Sequence, residues 1–294
     1  MEKKEKVTDV YQMVTDRIIE LLNKGVVPWK QTWSKSGMPR NLISKKSYRG
    51  INLFLLSSLG YRENHFLTFK QLKEIGGSVK KGERANMIVY WKWEEKEDNG
   101  EIVKKPFLRY YLVYNTMQCE GIPKEMIPDP YVIHHPLDIC EQIIIEMPQC
   151  PEITFDDDVP YYNVKADYIN MVPMNDFDSS EAYYETVFHE MIHATGHVSR
   201  LNRFELMNCN TTLPYMYSIE ELTAELGACY LKSLAGLGNS FENNASYLDS
   251  WLKKLKENKR WIVSAAAKAQ KAVDFILNIA PVVVTETVEE EEEL

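Results

Sequence analysis

Tyr184-Glu185-Thr186-Val187-Phe188-His189-Glu190-Met191-Ile192-His193-Ala194-Thr195-Gly196-His197 is the stretch on which the reading of this chain turns. It contains H-E-x-x-H. Residues four apart share one face of an α-helix. His189 and His193 can therefore present their imidazoles to one metal ion, with Glu190 beside them as a base for the ion's water. The flanks support a helix. Ala182, Tyr183, Val187, Phe188 and Ile192 recur at helical spacing, Asp178-Ser179-Ser180-Glu181 reads as a capped start, and Gly196 reads as a stop. The competing reading is a surface helix that carries two histidines by chance.

A catalytic zinc needs a third protein ligand and an open position. On a straight helix His197 would stand about 12 Å along the axis from His189, so it joins only if Gly196 turns the chain. In the longer pattern H-E-x-x-H-x-x-G-x-x-H the third histidine falls on Ser199, so that pattern is not met. The other source is a glutamate from a following helix. Ser218-Ile219-Glu220-Glu221-Leu222-Thr223-Ala224-Glu225 places Glu221 and Glu225 four apart, beside an apolar face of Ile219, Leu222, Leu226 and Tyr230. Carboxylates in such a place call for a cation. The expected ligands are His189, His193 and Glu221, with Glu225 orienting them from behind. Glu220, Glu225 and His197 are the alternative third ligands. Ser218-x-x-Glu221 also reads as a capping box, a purely structural role for Glu221.

The chain has 294 residues, 45% hydrophobic and 26% charged, which is a globular composition with room for two domains. Five scattered cysteines, at 119, 140, 150, 209 and 229, form no C-x-x-C and fit reduced thiols. Neither a signal peptide nor an apolar run long enough for a membrane span is visible, so a cytoplasmic protein is expected. The net charge of −9 is unevenly placed. Residues 1–125 carry 23 Lys+Arg against 15 Asp+Glu, and residues 126–294 carry 11 against 28. A basic first half implies an anionic partner.

That half opens with a helical pattern, Val7, Val10, Tyr11, Val14, Ile18, Leu21 and Leu22, stopped by Gly25. Residues 28–84 then interleave aromatic and basic side chains. Trp29, Lys30, Arg40, Asn41, Lys46, Tyr48, Arg49, Asn52, Lys80 and Lys81 are the candidates for contact with single-stranded DNA, bases neutralising phosphates and rings stacking on unpaired bases. The rival for each aromatic is the core. Met87–Trp93 and Phe107–Tyr114 read as a hairpin around Asn99-Gly100. The proline-rich stretch 121–130 marks a domain boundary. Beyond it helices are expected at Leu137–Met147, Asn244–Leu255 and Arg260–Ile279. A strand over Asp167–Val172 is expected at a sheet edge, where a peptide could pair with it. The Glu289–Glu293 run reads as a disordered tail.

Taken together, these segments resemble the ArdC family of antirestriction proteins. The likeness rests on Gly25-Val-Val-Pro-Trp-Lys30, Arg40-Asn41, Tyr48-Arg-Gly-Ile-Asn52, Phe69-Lys-Gln71 and Gly76-Gly-Ser-Val-Lys-Lys-Gly82. In the second half it rests on Tyr183–Glu190, Thr195-Gly-His197, Ser199–Arg203, Glu220–Glu225 and Trp251–Ala272. The resemblance implies an α+β protein of two domains. These are a small basic single-strand-DNA-binding domain at 1–125 and a mostly helical zincin-like metallopeptidase domain at 126–284, with the acidic tail at 285–294. It further implies Zn²⁺ on His189, His193 and a glutamate of Glu220–Glu225, Glu190 as catalytic acid and base, an unknown protein substrate, and protection of incoming mobile DNA in the cytoplasm. Ala194 stands where the family usually has an aromatic, and His65-Phe66 where a tryptophan is frequent. The alternative is a DNA-binding protein whose second domain is a non-catalytic interaction module. A metal-dependent nuclease is less favoured, because two histidines and one glutamate hold one ion, whereas phosphodiester hydrolysis more often uses paired metals.

Overall fold

The computed structural model describes residues 9–30, 37–98, 101–128, 135–207, 214–237 and 245–280. Cys209 and the acidic tail at 285–294 lie outside them. The fold is mixed helix and strand, as the sequence implies.

Helix α1 (Val10–Asn23) buries Val10, Val14, Ile18, Leu21 and Leu22 along one side. Asp9 caps it by accepting from the Gln12 amide at 3.1 Å, and Gly25, at φ 75°, turns the chain away. A 3₁₀ turn, Pro28–Lys30, follows. Strands β1 (Arg40–Asn41) and β2 (His65–Leu67) pair in parallel around α2 (Ile51–Ser57). Helix α3 (Phe69–Glu74) starts at a capping box made by Thr68 and Gln71. A short strand β3 (Ser78–Val79) then leads to the long hairpin of β4 (Asn86–Asp98) and β5 (Glu101–Asn115). The hairpin ladder runs from Asn86↔Val113 to Asp98↔Glu101, well past the apolar runs that announced it. Backbone pairing needs no apolar side chain, so the charged segment simply prolongs it. Strand order is β1-β2-β5-β4, and β3 pairs separately with β6 (Cys119–Glu120). At the Gly76-Gly77 turn a Cβ on Gly77 would stand 2.4 Å from Leu72 Cδ1, so close packing of this turn on α3 demands glycine.

After the proline-rich connector come α4 (Pro136–Glu146) and a three-stranded sheet, β7 (Glu152–Thr154), β8 (Tyr161–Asn163) and β9 (Tyr168–Asn170), in the order β7-β9-β8. This corrects the expected edge strand at Asp167–Val172. β9 is central, paired in parallel to β7 and antiparallel to β8, so its backbone groups are taken on both sides and a peptide has no edge to join there. The remaining helices are α5 (Ser180–Thr195), α6 (Phe204–Met207), α7 (Pro214–Ala235), α8 (Ala245–Glu257) and α9 (Trp261–Ile276). No helix among the described residues is long and apolar enough to cross a membrane.

The core does not stop at the connector. One cluster joins Val14, Ile18, Trp29 and Phe54 of the first half to Ile192, Leu222, Trp251 and Val273 of the second. Trp29 meets Trp251 edge to face, 6.1 Å between centroids, and Phe54 meets Tyr230 at 6.5 Å. Ala265, Ala266, Ala269 and Ala272 give α9 a buried face of small side chains. The Gly50 amide donates to Gln270 Oε1 at 3.0 Å, and Arg49 pairs with Asp274. Trp29 is 1% exposed, so its first role is to pack. Trp29→Ala should cost about 3–5 kcal/mol, read as a lower urea midpoint with an unchanged slope.

Candidate functional site

Helix α5 begins where Ser179 accepts the Ala182 amide at 3.2 Å and ends at Gly196. It runs antiparallel to α7, since buried Glu185 pairs with Lys232 near one end and His193 meets Glu220 near the other. The two helices cross closely at Gly227, where an added Cβ would stand 2.5 Å from Ile192 Cδ1. This approach brings the Glu220-Glu221 turn of α7 under the histidines of α5.

Three donors converge there. His189 Nε2 lies 3.1 Å from His193 Nε2 and 3.5 Å from one Glu221 oxygen, and His193 Nε2 lies 3.5 Å from the other. Donors placed tetrahedrally around one zinc at its usual bond lengths stand about 3.3 Å apart, and with one ligand atom taken from each residue the three lie within 4.8 Å of one another, close enough to share one ion after a small adjustment. Among the described residues this is the one cluster of three or more such side chains that could hold a metal. Ser218 lies inside α7, which begins at Pro214, so the capping-box role for Glu221 falls away. His197, the alternative ligand, turns instead to Ser199 Oγ at 2.8 Å and toward Asp167 at 3.6 Å. Asp167 is also bound by Arg200 and by the Tyr162 hydroxyl, which tie the β8–β9 turn to the end of α5.

The carboxylate behind His193 is Glu220. Glu220 is 1% exposed, and its Oε1 lies 3.1 Å from His193 Nδ1. A carboxylate there takes the Nδ1 proton as donor, which leaves Nε2 with a lone pair facing the other two donors. Arg203 grips the same carboxylate with two bonds, Nε at 3.0 Å and Nη2 at 2.5 Å. Its remaining donors go to Thr195 Oγ1 at 2.6 Å and to the Ile192 carbonyl at 2.7 Å, one of the open carbonyls at the end of α5. Gly196 makes room for this, because a Cβ there would stand 2.8 Å from Arg203 Nη2. In the sequence Arg203 stood within the Ser199–Arg203 likeness but was given no role. Its only signal was an arginine shortly after the helix stop.

The charges follow from this geometry. Burial works against the Glu220 carboxylate, but hydrogen bonds from His193 and Arg203 outweigh it and hold it down to about 2. Glu221 is opposed by burial and held well below the usual carboxylate range by both histidines. In the metal-free protein burial opposes the His193 charge, yet the two glutamates push it up to about 10. Glu190, next to His189 on α5, is buried at 8% exposure.

Several of the residues expected to meet DNA are buried or engaged within the fold. Trp29, Tyr48 and Asn52 are buried, Tyr48 edge-on to Phe66 and Asn52 bonded to the Val89 backbone through both its amide groups. Asn41 is spent locally, its Oδ1 accepting from the Ile43 and Ser44 amides and its Nδ2 donating to Gln71. Arg49 is engaged by Asp274, and Lys80 donates to the Met117 carbonyl at 2.8 Å. Lys30 ends the 3₁₀ turn. Lys46 and Lys81 are exposed, and Arg40 is half-buried on β1. Side chains that pack or pair in this way are held by the fold, which leaves Lys46 and Lys81 open and Arg40 partly so.

Residues 8–114 match the family model for the N-terminal domain of anti-restriction factor ArdC, and residues 142–268 match that for a zincin-like metallopeptidase. The fold is similar to two crystal structures of the antirestriction ArdC protein from plasmid R388. The metal-free one is 37% identical with a TM-score of 0.75, covering 92% of this chain and 98% of that one. The Mn(II)-bound one has a TM-score of 0.72 at 37% identity, covering 94% of this chain and 100% of that one. Protein y4eC of Sinorhizobium fredii is 30% identical, with 92% of each chain aligned. DNA primase TraC of Escherichia coli is 30% identical over 91% of this chain, which spans only 27% of that protein's length.

Arg203→Met removes one partner of a buried carboxylate and should cost about 3–5 kcal/mol. Adding Glu220→Leu removes the stranded charge and should restore much of the loss. Urea unfolding of the two variants checks both.

Proposed function

The chain belongs to the ArdC family of antirestriction proteins, and from that premise we propose that it is a zinc-dependent peptidase that also binds single-stranded DNA, acting in the cytoplasm to protect incoming mobile DNA. The observation that carries the peptidase reading is the convergence of His189, His193 and Glu221, with Glu190 one residue along the same helix. When bound, zinc supplies Lewis acidity and lowers the pKa of a coordinated water. His189 and His193 would hold it through Nε2 and Glu221 through its carboxylate. Glu220 and Arg203 keep His193 in the ligating tautomer. Glu190 takes the proton of the attacking water and returns it to the leaving amine, the work of a general base that becomes a general acid.

The DNA-binding reading rests on the matched N-terminal family model and on the charge of residues 1–125, where bases outnumber acids by 23 to 15. The protein substrate is the unassigned partner. An enzyme that travels with DNA can act on whatever protein it meets there, and the shared core couples the two halves mechanically.

Elemental analysis should find about one zinc per chain in the parent and in Glu190→Ala. His193→Ala and Glu221→Ala should lose it. Glu190→Ala should lose peptide hydrolysis by several orders of magnitude while keeping its zinc. Hydrolysis at the parental rate in that variant would exclude this role. Zinc uptake near neutral pH must displace the His193 proton, so affinity should fall about tenfold for each pH unit of acidification, read by competition with a chelator.

A further inference from the structure

Arg40 and His65 sit directly opposite each other on the paired strands β1 and β2. His65 is 3% exposed. Arg40 Nε and His65 Nδ1 are buried without a hydrogen-bond partner. Burial, followed by the nearby charges of Arg40 and Lys45, pushes His65 down to about 4, so the imidazole is neutral. The positive charge of this notch therefore belongs to Arg40 and Lys45. Neither has a carboxylate partner among the described residues, whereas Arg49, Arg200 and Arg203 all do. Lys45 is exposed, and it stands in the left-handed region at φ 61°, a costly backbone for a lysine. The loop that carries it is pinned by Asn41, which bonds the Ile43 and Ser44 amides on one side and Gln71 of α3 on the other.

The same α3 carries an aromatic ring out of the fold. Phe69 is 47% exposed, with the Tyr114 ring tilted against it at 6.4 Å between centroids and Lys73 Nζ over its ring at 5.4 Å from the centre. Lys70 and Lys73 are both exposed. A phenylalanine left half open among lysines, on a helix tied through Gln71 to Asn41 beside Arg40, has the parts needed for one step of a single strand. Such steps are read by a cation on the phosphate and a π-face for the base.

We propose that Arg40, Lys45 and Phe69 form a nucleotide-binding notch for single-stranded DNA, with a backbone phosphate on Arg40 and Lys45 and an unpaired base stacked on Phe69. This rests on the reading of the chain as a DNA-binding protein and moves the contact away from the buried rings of Trp29 and Tyr48. His65 stays neutral and supports the Arg40 side of the notch. Stacking is tolerant of sequence, so the notch binds without strong base preference.

The test is fluorescence anisotropy of a labelled oligothymidine across a salt series, on the full chain and on Phe69→Ala, Phe69→Trp, Arg40→Gln and Lys45→Gln. Each variant is first matched to the parent in thermal midpoint. Phe69→Ala should weaken binding about tenfold with its salt slope unchanged, and Phe69→Trp should recover it. Arg40→Gln and Lys45→Gln should each flatten the slope of log affinity against log salt by about 0.7, the loss of one phosphate contact on a single strand. Parental affinity in Phe69→Ala, or a parental slope in both charge variants, overturns the notch while leaving DNA binding intact. A parent that does not hold the oligothymidine overturns both the notch and the DNA-binding reading. A parent that holds an oligoribonucleotide more tightly overturns the choice of DNA.

Discussion

The buried carboxylate of Glu220 is the constraint around which the site is built. An ionised carboxylate at 1% exposure is costly unless its oxygens are fully used. Here Arg203 and His193 use them, and the demands of that arrangement spread outward. Arg203 reaches Glu220 only by lying across the end of α5, which requires glycine at position 196. His193 reaches it only because α5 and α7 cross tightly, which requires glycine at position 227. The imidazole tautomer that leaves Nε2 free is thus set by packing as much as by electrostatics. Glu221, the next residue on α7, then faces the pair of histidines as a consequence of helix geometry.

The second structural fact is the shared core. The two stretches matched by separate family models do not bury their apolar faces separately. Trp29 lies against Trp251 and Phe54 against Tyr230, while α9 packs on α7 with its alanines buried. The helix that carries two glutamates of the metal cluster region therefore touches residues of the basic half. Arg49 and Gly50 are fastened to α9 through Asp274 and Gln270. Several residues that look like DNA contacts by composition serve this junction. A basic or aromatic residue near an interface between halves is worth more buried and paired than exposed, because aromatic burial contributes more than an isolated surface contact.

Much of this was legible in the residues. Helical spacing located α1, α4, α5, α8 and α9 to within a few positions, because an amphipathic stripe of period 3.6 is a strong local signal. The candidate metal donors were legible too, since H-E-x-x-H is a property of one helix and the glutamate pair stood out against an apolar face. The sheet of the second half was not, because strands of three residues carry little periodicity, and nothing local says which of them is central. The distinction between Glu220 and Glu225 was also hidden. Both lie on α7, and it is the packing of Arg203 and His193 that puts Glu220 behind the histidine.

By itself, then, the sequence determined most of the helices, the two-part charge distribution and the candidate metal donors, all of which depend on neighbours along the chain. The tertiary structure alone decided which carboxylate stands behind His193, which aromatics are sealed in the core, and that Phe69 stays half exposed while Arg40 keeps a buried Nε without a partner. Those outcomes depend on contacts between residues far apart in sequence, such as His193 with Glu220 or Trp29 with Trp251, whose burial is a property of the assembled core rather than of any local pattern.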